Sequence, residues 1–180
     1  MSSQVINSYR FASVCSDVNQ EQLLTNDVRN LYQPSQAGVG MWLATSSALG
    51  VGAKLISYSF WIKQVGSASG TLYGRVYNAT SVPSPSATLE TQADTTYDVS
   101  TISTSSYVET TFTFDGTYTL QTGDFIMGWY SEGSGGGYLS SQFQLSDVYD
   151  GTDSVSGWHH SSNFRALSSN DPTMKITYCE

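Results

Sequence analysis

The chain is poor in groups that perform covalent chemistry and rich in aromatic rings. Its two histidines, His159 and His160, are adjacent, and a metal centre needing spaced imidazoles would have to recruit carboxylates. No G-x-S-x-G run occurs, so no serine is placed on a strained nucleophile elbow. The nearest sequence, GSASG from Gly66 to Gly70, carries Ala68 where the nucleophile would stand. No G-K-[ST] follows any glycine run, so EGSGGG from Glu132 to Gly137 does not cradle phosphate. Two carboxylates at the right separation make a glycosidase, yet Glu90, Glu109 and Glu132 qualify only because nothing removes them. No catalytic residue is assigned, and the expectation is a protein that is not an enzyme.

Two other groupings are more informative. Asp147, Asp150 and Asp153 share one polar stretch with Gly151, and calcium takes six to eight oxygens from such loops. The spacing departs from the EF-hand pattern, and aspartates bonding their own backbone in turns explain the run equally well. No cofactor is expected, a structural calcium on these aspartates being the one alternative. The second grouping is aromatic: Trp61, Tyr73 and Tyr77 fall at outward positions of neighbouring strands around Arg75. If those strands share a sheet, the rings form a flat strip on which sugar rings stack, with Arg75 supplying directional hydrogen bonds. Trp158 and His159, with His160, Tyr149 and Tyr138, form a further set on loops, where binding residues concentrate. Aromatics also dominate protein interfaces, so the same rings serve contact between copies of the chain.

The elements that must position these residues are strands. Lys54 to Lys63 alternates, Ile56, Tyr58, Phe60 and Ile62 facing one way and Ser57, Ser59, Trp61 and Lys63 the other. Thr71 to Asn78 repeats the pattern with Leu72 and Val76 inward and Tyr73, Arg75 and Tyr77 outward. Gly66 to Gly70 between them reads as a hairpin connection. Tyr107 to Phe114 puts Val108, Phe112 and Phe114 on one face; Asp124 to Ser131 and Thr173 to Cys179 are further strands. Weaker candidates are Val5 to Val14, Gly40 to Ala44, Ala87 to Thr91, Tyr138 to Gln144 and Ser161 to Ala166. A short helix is expected near Asn19 to Leu31, from Leu23, Leu24, Val28 and Leu31 at helical spacing, with an irregular connection as the alternative. The prolines at Pro83 and Pro85 and the glycines of 132–137 mark loops.

At 180 residues the chain fits one domain, 1–180, with roughly 8–10 strands. Charged residues are only 12% of the total, about half the usual share, while aromatics at 13% exclude a disordered tail. With a net charge of −8 and seven Lys and Arg, a basic stripe for nucleic acid is absent, and anionic membranes are disfavoured. The uncharged stretch from Leu31 to Ala53 contains Pro34 and several glycines and hydroxyls, so no membrane insertion is expected. Met1-Ser2-Ser3-Gln4 lacks a basic n-region and no apolar h-region follows. That fits a mature fragment, or a protein exported by another route, as virion proteins are. Cys15 and Cys179 stand near opposite ends. Terminal strands of a sandwich often lie side by side, so a bridge closing the chain is geometrically reasonable; two separate buried thiols are the alternative. Asn78-Ala79-Thr80 is a glycosylation sequon where the host glycosylates, and Val5 to Val14 suits pairing at home or on a neighbour's edge.

The run KLISYSFWIKQVGSASGTLYGRVYNAT, then the double-proline loop, DTTYDVSTISTSSYVETTFTF and YTLQTGDFIMGW resemble a family of β-sandwich domains. These occur in bacterial and archaeal extracellular proteins and phage structural proteins, often as anchor-type or carbohydrate-binding-like modules. Trp61 to Gly66, Arg75-Val76-Tyr77, Asp98-Val99-Ser100, Tyr107, Phe112 to Phe114 and Tyr118 to Asp124 carry the likeness. It implies an all-β, antiparallel two-sheet sandwich of jelly-roll type. It also implies a non-catalytic module at an extracellular or virion surface, whose partner is a glycan or cell-surface polysaccharide. The alternative is a self-assembling subunit of a virion or filament, whose partners are copies of itself. The matched residues are strand and turn positions, so they speak to fold more than to function.

Overall fold

The computed structural model describes residues 15–19, 27–31, 38–46, 48, 50–78, 87–132, 136–143, 152–156, 165–167 and 172–180. In chain order the strands are β1 (Cys15–Asn19), β2 (Asp27–Leu31), β3 (Gly38–Leu43), β4 (Lys54–Val65), β5 (Gly70–Asn78) and β6 (Thr88–Asp98). They continue with β7 (Val108–Thr113), β8 (Asp124–Glu132), β9 (Tyr138–Phe143), β10 (Thr152–Ser156), β11 (Arg165–Leu167) and β12 (Met174–Cys179). The described strands thus exceed the expected number. Among the described residues the only helical turn is a 3-10 turn at Val99–Thr101, where the Ser100 amide donates to the Asp98 carboxylate.

The strands form two antiparallel sheets packed face to face, a β-sandwich. In the first sheet the long strand β4 is the spine. β7 runs along one edge of it, from Ser57↔Thr113 to Ile62↔Val108. The other edge is shared end to end, by β12 beside Lys54–Phe60 and by β9 beside Ile62–Val65. Thr173 N–H donates to the Gln142 carbonyl at 3.1 Å and stitches that junction. β1 lies beyond β12 and β2 beyond β9. The second sheet has the order β11-β10-β3-β8-β5-β6.

Alternation explains the core. Tyr58, Phe60 and Ile62 of β4 are fully buried, as are Leu72 and Val76 of β5 and Phe112 of β7. Ile56 departs from the expected face. The pairing with β12 slips between Thr177 and Tyr178, opposing Leu55 to Tyr178 and Ser57 to Thr177. Ile56 is therefore the extra residue of a bulge, and Leu55 takes the buried place.

Two expectations are corrected. Gly66 to Gly70 is not a hairpin turn, because β4 and β5 belong to different sheets. The connection arches over the end of the sandwich: Ala68 is packed into the core, and the Gln64 side-chain amide donates to its carbonyl at 2.7 Å. The helix near Asn19 to Leu31 is also replaced: Asn19 ends β1 and 27–31 is β2, while 20–26 lie outside the described residues. Leu31 is fully buried opposite Leu139 of β9, so ladder pairing and burial outweigh the local helical spacing. Of the weaker candidates, Gly40 to Ala44, Ala87 to Thr91 and Tyr138 to Gln144 fall on β3, β6 and β9. Ser161 to Ala166 meets β11 only at 165–166, and Val5 to Val14 lies outside the described residues.

Cys15 and Cys179 are paired across β1 and β12 and joined by a disulfide. The bridge points to an oxidising environment. No helix of the described residues is long and apolar enough to cross a membrane.

Gly74 of β5 and Gly128 of β8 face each other in the second sheet. A Cβ at Gly74 would collide with the Phe112 ring, whereas one at Gly128 would meet Phe60 at 3.6 Å and Leu72 at 3.8 Å, ordinary contacts. Gly74→Ala should therefore cost about 1–3 kcal/mol by overpacking, and Gly128→Ala should stay within about 1 kcal/mol of the parent; denaturant midpoints read both. Reduction of the bridge, whose ends are 164 residues apart, should lower stability by up to about 5 kcal/mol on the chain-entropy argument. Denaturation with and without reductant measures it, and an unchanged midpoint would show that the bridge constrains nothing.

Candidate functional site

β8 is apolar on both faces. Ile126 and Tyr130 point into the sandwich, and Phe125, Met127 and Trp129 point out. Register then writes three rows across the outer face of the second sheet. Trp42, Phe125 and Tyr77 form the first; Gly40, Met127 and Arg75 the second; Gly38, Trp129 and Tyr73 the third. In the first row Trp42 stacks on Phe125, centroids 5.9 Å apart and planes 15° apart. The Tyr77 ring reaches diagonally to Trp129 at 5.6 Å. Gly38 and Gly40 put no side chain beside Trp129 and Met127, and a Cβ at Gly38 would stand 3.1 Å from the Trp129 ring. The indole therefore lies low across β3.

Arg75 is the centre of this face. Its guanidinium carbon sits 4.6 Å from the Tyr73 ring centroid and 5.9 Å from that of Trp129. Nε–H donates to Gln92 Oε1 at 2.9 Å and Nη1–H to the Tyr77 hydroxyl at 3.1 Å. Two rings and two acceptors thus hold one planar cation in a single orientation, partly open to solvent.

Behind the first row the sheet end is tied by a buried carboxylate. Asp124 opens β8 and is fully buried. Asn78 Nδ2–H donates to it at 2.7 Å, the Gln121 backbone N–H at 2.8 Å, and the Tyr118 hydroxyl lies 3.0 Å from Oδ2 and 3.1 Å from Oδ1. Burial nevertheless pushes its pKa above the usual carboxylate value, against those donors and with the charge of Glu90 adding to the rise. Burial and the same carboxylate push the Tyr118 phenol up as well.

The expected strip is therefore partly formed. Tyr73, Arg75 and Tyr77 come together as expected. Trp61 does not join them: it lies on β4 in the first sheet, opposite Glu109 of β7. The ring that takes its place is Trp129, with Trp42 at the far end, and neither was expected from alternation. The signal for Trp129 was present in DFIMGWYS, a continuous apolar run that marks a strand covered on both faces. Tyr138 lies on β9 of the first sheet. Trp158, His159, His160 and Tyr149 lie outside the described residues, as do Asp147 and Asp150. Asp153 is described by its backbone, in β10 opposite Trp42. Among the described residues no three His, Cys, Asp or Glu are grouped as metal ligands would be.

The raised pKa of Asp124 has a definite sign. Its contribution is most favourable when the carboxyl is protonated, and it is lost as pH rises through the raised folded-state value. The stability of the parent relative to Asp124→Asn should therefore increase as pH falls through that value. Denaturant unfolding of both proteins across mildly acid to neutral pH measures this, and the exposed Asp98 and Asp115, whose pKa values are lowered by hydrogen bonds from Ser100 and Thr117, cancel in the comparison.

Family models, curated proteins and solved structures were compared with the chain, and none matches. A functional reading therefore rests on the geometry of the outer face itself.

Proposed function

We propose that the protein is a non-catalytic recognition module of an extracellular or virion surface, jelly-roll and carbohydrate-binding-like in kind, and that the outer face of the second sheet takes the sugar. The observation that carries this reading is the Tyr73–Arg75–Trp129 stack, fixed from beneath by the sheet and from the side by Gln92 and Tyr77. A sugar ring offers an apolar C–H face and a rim of hydroxyls. Trp129 and Tyr73 match the first, and Arg75 and Gln92 match the second. Rings held rigid before binding lose little entropy when the ligand arrives.

The other reading is a building block that meets copies of itself. The sheet edge argues against the simplest form of it. β6 ends the strand order of the second sheet, and Glu90, Asp94 and Asp98 along it are exposed. Carboxylates on an edge strand repel the same strand of a second copy.

A glycan array followed by titration of the captured sugar tests the proposal. Trp129→Ala and Tyr73→Ala should each weaken binding about tenfold or more, as truncation of central aromatic contacts does. Mass by light scattering should stay that of a monomer for parent and variants. Mass that grows with concentration and falls in Trp129→Ala, with no glycan captured, would replace recognition by assembly.

A further inference from the structure

Arg75 carries more than orientation for a sugar. Two of its nitrogens are engaged, Nε with Gln92 and Nη1 with Tyr77, both neutral acceptors. Among the described residues no carboxylate pairs with the guanidinium, although the chain holds 15 Asp and Glu against seven Lys and Arg. Aspartates and glutamates stand nearby on β6, yet Gln92 occupies the position opposite Arg75. The cation is thus braced by neutral groups and rings, and its charge is left uncompensated on a face partly screened from water. A guanidinium held flat in this way matches a planar two-oxygen anion through paired N–H donors, and a lysine could not do the same.

We propose that this face selects an acidic sugar, its carboxylate on the Nη2 side of Arg75 and its ring stacked on Trp129 and Tyr73. The inference rests on the sugar-binding reading and names the class of sugar. Charge complementarity decides between occupants: a neutral glycan would meet Arg75 through hydroxyls and leave its charge uncompensated. Gln92 and Tyr77 act as positioning residues, since they hold the guanidinium through Nε and Nη1, and among the described residues Nη2 has no hydrogen-bond partner.

The test compares matched pairs by calorimetry on the intact protein: trigalacturonate against its methyl ester, and sialyllactose against lactose. At least one acid should bind about tenfold or more tightly than its neutral partner, the worth of one charge-assisted contact. The preference should shrink in raised salt. Arg75→Gln should abolish the preference, so that each acid binds no better than its neutral partner, and Arg75→Lys should restore it only in part. Circular dichroism and the melting temperature of each variant confirm that the fold is kept. Equal binding of acid and neutral partners, weakened by Trp129→Ala, overturns the acidic preference and keeps sugar recognition. No binding of any of the four probes, unaltered by every variant, overturns both.

Discussion

Tyr58 spans the sandwich. Its ring lies in the core of the first sheet, within 5.3–5.4 Å of Phe60, Phe112 and Phe114. Its hydroxyl reaches the other sheet, donating to the Met127 carbonyl at 2.7 Å, with the Arg75 carbonyl at 3.2 Å. A buried phenol needs such a partner, because an unmade hydrogen bond in the core costs more than the bond returns. Burial also drives its pKa well upward, which keeps the phenol protonated as a donor. Met127 and Arg75 are directly opposed in the second sheet. The two residues whose carbonyls hold Tyr58 from inside are the ones whose side chains form the middle row outside. The core hydrogen bond and the outer face therefore share one piece of backbone.

The glycines of the second sheet make this approach feasible. Gly74 and Gly128 remove two inward side chains where Phe112 and Phe60 press closest. Gly38 removes an outward side chain beside the Trp129 ring, and Gly40 removes one where β3 comes closest to Ile126 and Met127 of β8. A sheet thinned on both faces lets large rings lie close to the backbone from above and below. The rings then settle in place through contact area, not through charge, as suits a chain with so few charged residues.

Most of the fold was legible because its strands are amphipathic with period two. Leu72 and Val76 against Tyr73, Arg75 and Tyr77 sorted β5 correctly, and Phe112 and Phe114 sorted β7 and its exit. Alternation speaks only to which way a residue points, never to which sheet it points from. Gly66 to Gly70 is short and glycine-rich whether it closes a hairpin or arches between sheets, and the difference lies in the strands that β4 and β5 each pair with elsewhere in the chain. Those pairings place Trp61 in the first sheet, apart from Tyr73, Arg75 and Tyr77. Trp129 was hidden for the converse reason: its strand is apolar on both faces, so alternation is silent, and its outward direction follows only from β8 lying between β3 and β5. Leu31 was misread because helical spacing over a few residues is weak against ladder pairing with β9. Ile56 was misassigned because a bulge is a property of two strands and leaves no trace in one.

For the acidic sugar proposed above, opposing fields act at different distances. Far away, a net charge of −8 repels it and slows encounter. Beyond about 8 Å at physiological ionic strength the carboxylates are largely screened, and the charged residue in the three rows of the outer face is Arg75. Steering and holding are thus separated: the whole molecule disfavours approach, and the rings and Arg75 favour retention. Affinity on such a face resides in slow release, and selectivity resides in which ligands place an oxygen pair over Arg75 while their ring covers Trp129. A surface with few charges suits this arrangement, because each additional lysine would raise the attraction for every anion alike. One braced arginine attracts only the anion whose shape fits the rings beside it.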